Sequence, residues 1–325
     1  MSSLSSLLDS VESVLLRHGV ANKGICVGLS GGLDSVALLE ILMRLREKRA
    51  LKISAVHVHH GLSPNADQWA SFCQSVCNAK AVPLTISKVA IDRSAPGGIE
   101  SLARDARYAA FDRVEADFLA LAQHADDQAE TVLHQMLRGT GLKGMAGMGE
   151  TRPLRADLLL IRPLLSIPRA TIDAFAKEAR LEWVEDESNA DIAYTRNFIR
   201  AELAPKLAER FPHYRQSLAR TGNHAAEADE MLSALAKIDL KWDGHDAHAE
   251  ALDGLSVTRQ VNALYHWLQW LQRPDGRQVV LPSHAQLVEW AQQLFRPPPT
   301  DRPHQAGGHD FVIHRRKNLL RLERK

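Results

Sequence analysis

Four strand-then-helix units follow one another between residues 24 and 138, and this alternation constrains the fold more than anything else in the chain. Short apolar runs of β type lie at 24–29, 52–58, 83–90 and 117–122, and helical stretches follow at 36–48, 66–81, 99–116 and 125–138. Repeated units of this kind build a parallel sheet with helices on both faces. A starting helix, marked by Leu4, Leu7, Leu8, Val11, Val14 and Leu15 and ended by Gly19, precedes them. Asp9 and Glu12 sit inside its apolar pattern, and there is no basic leader or small-residue cleavage site, so it reads as a helix and not a signal peptide.

After Gly139 the pattern changes. A Gly-rich loop (139–149), with Gly139, Gly141, Gly144, Gly147 and Lys143, suits a mobile lid. A strand-like run (157–165), a helix opened by Pro168 and a turn cluster (186–191) follow, and helices dominate from 195 to 238. The stretch 241–254 reads as a linker or domain seam. Beyond it come helical patterns at 258–272 and 284–295, a Pro-rich loop at 296–303 and a basic, strand-like end. The expectation is an α/β chain: a doubly wound parallel sheet in a catalytic domain of residues 1–220, a helical linker, and a smaller, mostly α C-terminal domain of residues 221–325.

Composition excludes several classes. With 45% hydrophobic and 24% charged residues the chain has the make-up of a globular protein, not a disordered one. No apolar run approaches the about 20 residues that span a bilayer. Three cysteines, Cys26, Cys73 and Cys77, without a CxxC pair argue against a disulfide scaffold and a zinc ribbon, and favour the cytoplasm. A net charge of +1 means that any nucleic-acid contact must come from local patches.

The sharpest chemical signal is Ser30-Gly31-Gly32-Leu33-Asp34-Ser35, between the first strand and its helix. Amides at a helix N-terminus favour anions, two glycines let the backbone come close to an oxygen cluster, and Ser30 and Ser35 add hydroxyls. Asp34 could hold a Mg²⁺ that offsets phosphate charge, or could only satisfy the helix dipole. The lysine of a GxxxxGK[ST] loop is absent. His124, Asp127 and Glu130 recur at i, i+3 and i+6 after the fourth strand, at the sheet edge where open α/β folds bind ligands. Asp126 is expected to be a helix cap. His57, His59 and His60 follow the second strand and suit acid–base work or a polar loop. Arg104, Arg107 and Tyr108 share one side of a helix. Arg196 and Arg200 suit bidentate phosphate contacts, within a basic excess over 195–220 (Arg196, Arg200, Lys206, Arg210, Arg215 and Arg220 against Glu202 and Glu209) that could track an RNA backbone or be an ordinary helix surface. Trp242, Trp267, Trp270 and Trp290 read as core. Arg315, Arg316, Lys317, Arg321, Arg324 and Lys325 form a terminal basic strip that could contact RNA.

The SGGLDS loop resembles the PP-loop of the ATP pyrophosphatase superfamily, whose members cleave ATP between its α and β phosphates and adenylylate a carbonyl or carboxyl oxygen. VHVHHGLS (56–63), ESLARDARYAAF (100–111), LALAQHADDQAET (119–131), RGTGLKGMAGM (138–148), RPLL (162–165) and DESNADIAYTRNFIR (186–200), in that order, resemble the tRNA(Ile)-lysidine synthetase family over residues 20–235 and more weakly to the end. One departure is His59, where the family commonly has Asn. The resemblance implies a cytoplasmic ligase that forms a carbon–nitrogen bond, with ATP and Mg²⁺ as cofactors. Its partners would be L-lysine and a tRNA(Ile) with a CAU anticodon. The C2 oxygen of the wobble cytidine attacks the α-phosphate, pyrophosphate leaves, the lysine ε-amine attacks C2 and AMP leaves, so that the anticodon reads AUA instead of AUG. It further implies that Ser30, Gly31, Gly32, Leu33, Asp34 and Ser35 bind the nucleotide, with Asp34 on the metal. Asp127 and Glu130 would hold lysine, Arg196 (then Arg200) would close the site, and His60, Arg104 and Arg107 would lie near the reacting groups. Many members carry a further C-terminal domain, and this sequence ends before it. A homodimer is left open. A PP-loop tRNA thiolase would need paired reactive cysteines, and an RNA-binding module would not need an intact SGGLDS loop.

Overall fold

The computed structural model describes residues 3–91, 98–187, 192, 194–244, 246–271, 281–295, 305–307, 311–316 and 318–324. The Pro/Gly loop before the third helix, most of the 186–191 turn, the 296–303 loop, Lys317 and Lys325 lie outside the described residues, as do the side chains of Leu4 and Arg324.

The elements run α1 (Ser3–Arg17), β1 (Gly24–Gly28), α2 (Leu33–Arg49), β2 (Lys52–His59), α3 (Ala66–Ala79), β3 (Leu84–Lys88), α4 (Ile99–Phe111), β4 (Phe118–Ala120), α5 (Ala125–Leu137), α6 (Leu142–Met145), β5 (Thr151–Arg155), β6 (Leu158–Ile161) and α7 (Arg169–Glu178). They pair as a six-stranded sheet in the order β3-β2-β1-β4-β6-β5. Five strands are parallel. β5, which the sequence pattern does not announce, runs antiparallel to β6 at the edge.

The pleat divides the strand residues between two apolar layers. Ile25, Val27, Ala55, Phe118, Ala120 and Ile161 pack with α1, α2, α3 and α7. Cys26, Val56, Leu119, Leu121, Leu158 and Leu160 pack with Phe111 of α4 and Val114. Leu33, Val36, Ala37, Leu38, Leu39, Ile41, Leu42 and Leu45 of α2 are all buried, as expected of a helix enclosed on nearly every side. Leu38→Ala is expected to cost about 2–5 kcal/mol for the cavity it leaves.

α4 ends at Phe111, five residues short of the expected 116. The Gly-rich segment is not an open lid. It contains α6, and the buried Gln128 side chain pins it, donating to Met148 O (3.1 Å) and accepting from Met148 N (2.8 Å).

Helices α8 (Thr195–Phe198), α9 (Ala204–Arg210) and α10 (Tyr214–Leu240) follow, with a π turn at Ile199–Leu203. Two compact units, Met1–Asn223 and His224–Lys325, divide inside α10. The second unit continues with β7 (Ala247–His248), a 3₁₀ turn (Ala249–Leu252), α11 (Val257–Trp270), α12 (His284–Phe295), β8 (Gln305–Gly307), β9 (Phe311–Arg316) and β10 (Leu319–Arg324). It is mostly helical, with an antiparallel sheet in the order β7-β10-β9-β8. The stretch 241–254 is therefore not a linker: Ala247, Ala249 and Leu252 are buried in this unit's core, beside Trp267 and Trp290, with Trp242 and Trp270 packed against it.

Candidate functional site

The Ser30–Ser35 loop is shaped by its own hydrogen bonds. The Ser35 hydroxyl donates to Gly32 O (2.9 Å) and accepts from Ser30 N (3.2 Å), and Gly32 N donates to Ser30 Oγ (3.3 Å). The hydroxyls thus serve the turn itself, which is more than the donor role expected of them. Gly31 has φ +90°, and a Cβ there would lie 2.9 Å from Val184 Cγ2 and 3.2 Å from Cys73 Sγ, so conformation and space both require glycine. The loop delivers Leu33 and Asp34 as the first residues of α2, where amides have no helical acceptor and favour an anion.

Across the C-terminal edge of the sheet stands the start of α5. Its N-cap is His124, not Asp126: His124 Nδ1 accepts from Asp127 N (3.3 Å) and Asp127 Oδ2 accepts from His124 N (3.1 Å). Asp126 accepts instead from Arg169 N (2.9 Å) and Arg215 Nε (2.5 Å).

The His124 ring, 2% exposed, joins the two halves of the site. Its Nε2 lies 3.7 Å from Asp34 Oδ2 and 3.4 Å from Asp127 Oδ2. Burial disfavours the imidazolium, but the facing Asp34 carboxylate and the charges of Asp127 and Asp126 outweigh it and raise the pKa. Burial likewise disfavours the Asp34 carboxylate, yet His124, Arg169 and Arg200 hold its pKa below the usual value. Asp34 Oδ1 is buried without a hydrogen-bond partner. An ionised carboxylate with one orphaned oxygen fits a divalent cation, although the described residues contain no cluster of three metal-ligating side chains.

Glu130, 4% exposed, accepts from Arg200 Nε (2.7 Å) and Nη2 (2.9 Å), and the same Nη2 donates to Asp127 Oδ1 (3.0 Å). Arg196 approaches from the side: Nη2 donates to Thr131 Oγ1 (3.1 Å), and Nε lies 3.7 Å from Glu130 Oε2. Arg200 is therefore the main partner of the acid pair, with Arg196 at its margin. With Arg215 on Asp126, three of the six basic residues of 195–220 are engaged by the acids of the site. His124, Asp126, Glu130, Arg169, Arg200 and Tyr214 help line a cavity of about 150 Å³ beside the acids. That is too small for a whole nucleotide, given the about 300–1,000 Å³ of ordinary small-molecule sites.

The histidines after Val56 separate. His57 lies within β2, buried, with Nδ1 2.9 Å from Leu29 O and 3.4 Å from Cys73 Sγ, and is a core residue. His59 meets Asp67 at 3.1 Å. His60 Nδ1 has no hydrogen-bond partner among the described residues. Burial, then the charges of Arg107, His57 and His59, push His60 down from 6.5 to about 4. Its ordinary value in the unfolded chain means that the unfolded state takes up the proton first, so His60 destabilises the fold as pH falls from about 6.5 toward 4, by up to about 3 kcal/mol. His60→Gln is expected to flatten that part of the stability–pH curve in urea titrations. An unchanged curve would exclude the effect.

Residues without an earlier assignment complete the site. Arg169 opens α7 with Nε 3.7 Å from Asp34 Oδ1, and Gln123 and Arg162 stand beside His124 in sequence or across the sheet edge. Only the helix-opening Pro168 and the RPLL segment hinted at them. In the second unit, Arg315 pairs with Asp253, Arg316 with Glu323 and Arg321 with Asp246, so the described part of the terminal basic strip is locally neutralised.

Residues 5–207 match the family model of the PP-loop domain. A tRNA(Ile)-lysidine synthase of Actinobacillus pleuropneumoniae serotype 3 is 36% identical over 322 residues, 97% of this chain and 74% of that one. The chain belongs to the tRNA(Ile)-lysidine synthase family. Family members from Nitrosomonas europaea and Chromobacterium violaceum are 46% and 43% identical, each over 83% of this chain. The chain spans 58% and 63% of their lengths, about three-fifths of these curated relatives. Among solved structures, the U34-tRNA thiolase NcsA from Methanococcus maripaludis, with its [4Fe-4S] cluster, is similar at a TM-score of 0.60 and 19% identity, over 69% of this chain and 80% of that one, which speaks for the fold alone. Cys26, Cys73 and Cys77 are all buried and free here. Among the described residues no helix is long and apolar enough to cross a membrane.

Proposed function

We propose that this chain is a carbon–nitrogen ligase that uses ATP to activate C2 of the wobble cytidine in a CAU-anticodon tRNA(Ile) and joins L-lysine to it. Family membership supports the reading. The observation that carries it is the pair of facing half-sites: an anion-favouring loop that presents Asp34, and the half-buried Asp127 with the buried Glu130, linked by His124. The C2 oxygen is a poor leaving group and must first become a phosphate ester. The Ser30–Ser35 loop, with Gly31, Gly32 and Leu33 in its backbone, would hold the triphosphate by its amides. Mg²⁺, held by the orphaned oxygen of Asp34, would offset the charge of departing pyrophosphate.

Asp127 and Glu130 would then bind lysine through its amino groups, with Arg200 and Arg196 closing around the acids. The attacking ε-amine must be neutral when it reacts. His60 stays uncharged at neutral pH and would lie near the reacting groups, while Arg104 and Arg107 would lie toward the RNA. The second unit would contribute tRNA binding.

The test supplies CAU-anticodon tRNA transcript, ATP and labelled lysine. Lysine should enter the tRNA with equal release of AMP and pyrophosphate. Pyrophosphate release without lysine incorporation, or equal incorporation into a tRNA with a CAC anticodon, would refute the assignment.

A further inference from the structure

On the far side of Gln123 from the acid pair, three arginines gather around one tyrosine. The Arg152 guanidinium lies 4.3 Å from the centre of the Tyr108 ring and that of Arg104 lies 5.2 Å from it. Beneath them Arg162, 4% exposed, donates to Gly149 O (2.6 Å) and Gln123 Oε1 (3.2 Å). Burial, with Arg152 and Arg104 nearby, lowers the Arg162 pKa, and Tyr108 partly opposes this. No carboxylate answers these charges: among the described residues none of the three arginines forms an ion pair. Next to Arg152, Glu150 is already taken by Arg17 (3.2 Å) and His18 (2.6 Å), and near Arg162, Asp157 is taken by Arg155 (2.5 Å).

The position of the cluster gives it meaning. Arg152 comes from the edge strand β5, where it pairs with Leu160 near the end of β6, and Arg162 directly follows β6 at the C-terminal edge that carries Asp34 and His124; Arg104, in the middle of α4, and Tyr108, in its last turn, reach this pair from the side. Gln123 ties the cluster to His124 by one peptide bond. Three like charges without a counterion repel one another. Two exposed guanidiniums over an aromatic face, braced by a buried third, suit a phosphodiester with a base lying on or beside the ring.

We infer that Arg104, Arg152 and Tyr108, braced by Arg162, form a subsite for the RNA backbone next to the nucleotide that enters the reaction site. The inference rests on the proposed function for the identity of the RNA. The subsite positions that RNA and takes no part in the chemistry.

The experiment measures binding of the CAU-anticodon transcript to the full chain without ATP, at several salt concentrations, and then steady-state kinetics. Arg152→Ala should weaken RNA binding about 5–10-fold and lower the log–log salt slope by about one. Arg104→Ala/Arg152→Ala should roughly double that slope change. Arg152→Lys should keep the wild-type salt slope but recover only part of the affinity, since it keeps the charge and loses the planar fork. KM for the transcript should rise in parallel, while KM for ATP and for lysine stays within twofold.

An unchanged affinity and salt slope in the double variant would overturn the inference, as would a rise confined to the ATP KM, which would place a nucleotide phosphate there instead. Binding needs no turnover, so a wild-type chain that binds the transcript but makes no lysidine would sink the proposed function and leave this subsite still readable.

Discussion

Asp34→Ala is expected to reduce pyrophosphate release by about 10³-fold or more, with ATP, lysine and transcript all saturating. The carboxylate has two tasks that no neighbour duplicates. Its Oδ2 faces the His124 ring at 3.7 Å and helps raise the pKa of that ring, and its Oδ1 is the orphaned oxygen that suits a cation. Removing it takes the metal ligand away and leaves Arg169 and His124 without their shared anion. Asp34→Asn keeps shape and volume, and separates loss of charge from loss of packing at the start of α2. Both variants should retain the wild-type near-ultraviolet circular dichroism, and raised Mg²⁺ should not rescue them. An Asp34→Asn chain that still transfers AMP at more than a tenth of the wild-type rate would remove Asp34 from the chemistry.

The sequence made the central frame readable because buried parallel strands are short apolar runs and the helices between them carry clear periodicity. β1, β2 and β4 bury residues on both faces, and in β1 and β4 nothing polar blurs them. β5 was hidden for the opposite reason: Thr151–Arg155 is half exposed, contains Pro153 and lies at a sheet edge, where proline is tolerated and no apolar alternation is needed. The stretch 241–254 has the Gly and Asp content of a linker, yet three small or medium apolar residues in it decide its place in the second core. The acid pair was visible as spacing on one helix. Which arginine serves it was not: Arg196 and Arg200 are equivalent by spacing, and the π turn at Ile199–Leu203 gives the local helix a geometry that spacing does not predict. The capping role of His124 was also invisible, since histidine is an uncommon N-cap and the sequence offers two aspartates that are better candidates. Of the arginine–tyrosine cluster only Arg104 and Tyr108, on one side of a helix, could be read together, because Arg152 and Arg162 come from two other segments that only the sheet edge brings to them.

Glu130→Gln should raise the lysine KM about 30-fold or more and leave the ATP KM within about threefold. The difference follows from position. Glu130 and Asp127 face Arg200, the cavity beside them is too small for a whole nucleotide, and the anion-favouring loop lies on the other side of His124. A buried carboxylate that pairs with an ammonium accounts for roughly 2 kcal/mol or more when the substitution leaves the ligand's charge unmatched, which is about 30-fold in affinity. Arg200 sharpens the test. Burial opposes its charge, but Glu130, Asp127 and Asp34 more than compensate and raise its pKa, so it stays a cation bound to the carboxylates that the proposed amine must also use. Arg200→Gln should therefore lower stability in the absence of lysine, by about 3–5 kcal/mol if the two acids are left buried and unpaired. Free lysine should then raise the melting temperature of Arg200→Gln more than that of the wild type, because the ammonium supplies the missing charge. In Arg200→Gln/Glu130→Gln that extra rise should disappear. A lysine-induced rise that is the same in all three proteins would mean that the amino acid binds away from Glu130, and an equal loss of ATP and lysine affinity in Glu130→Gln would count against a separate amine pocket.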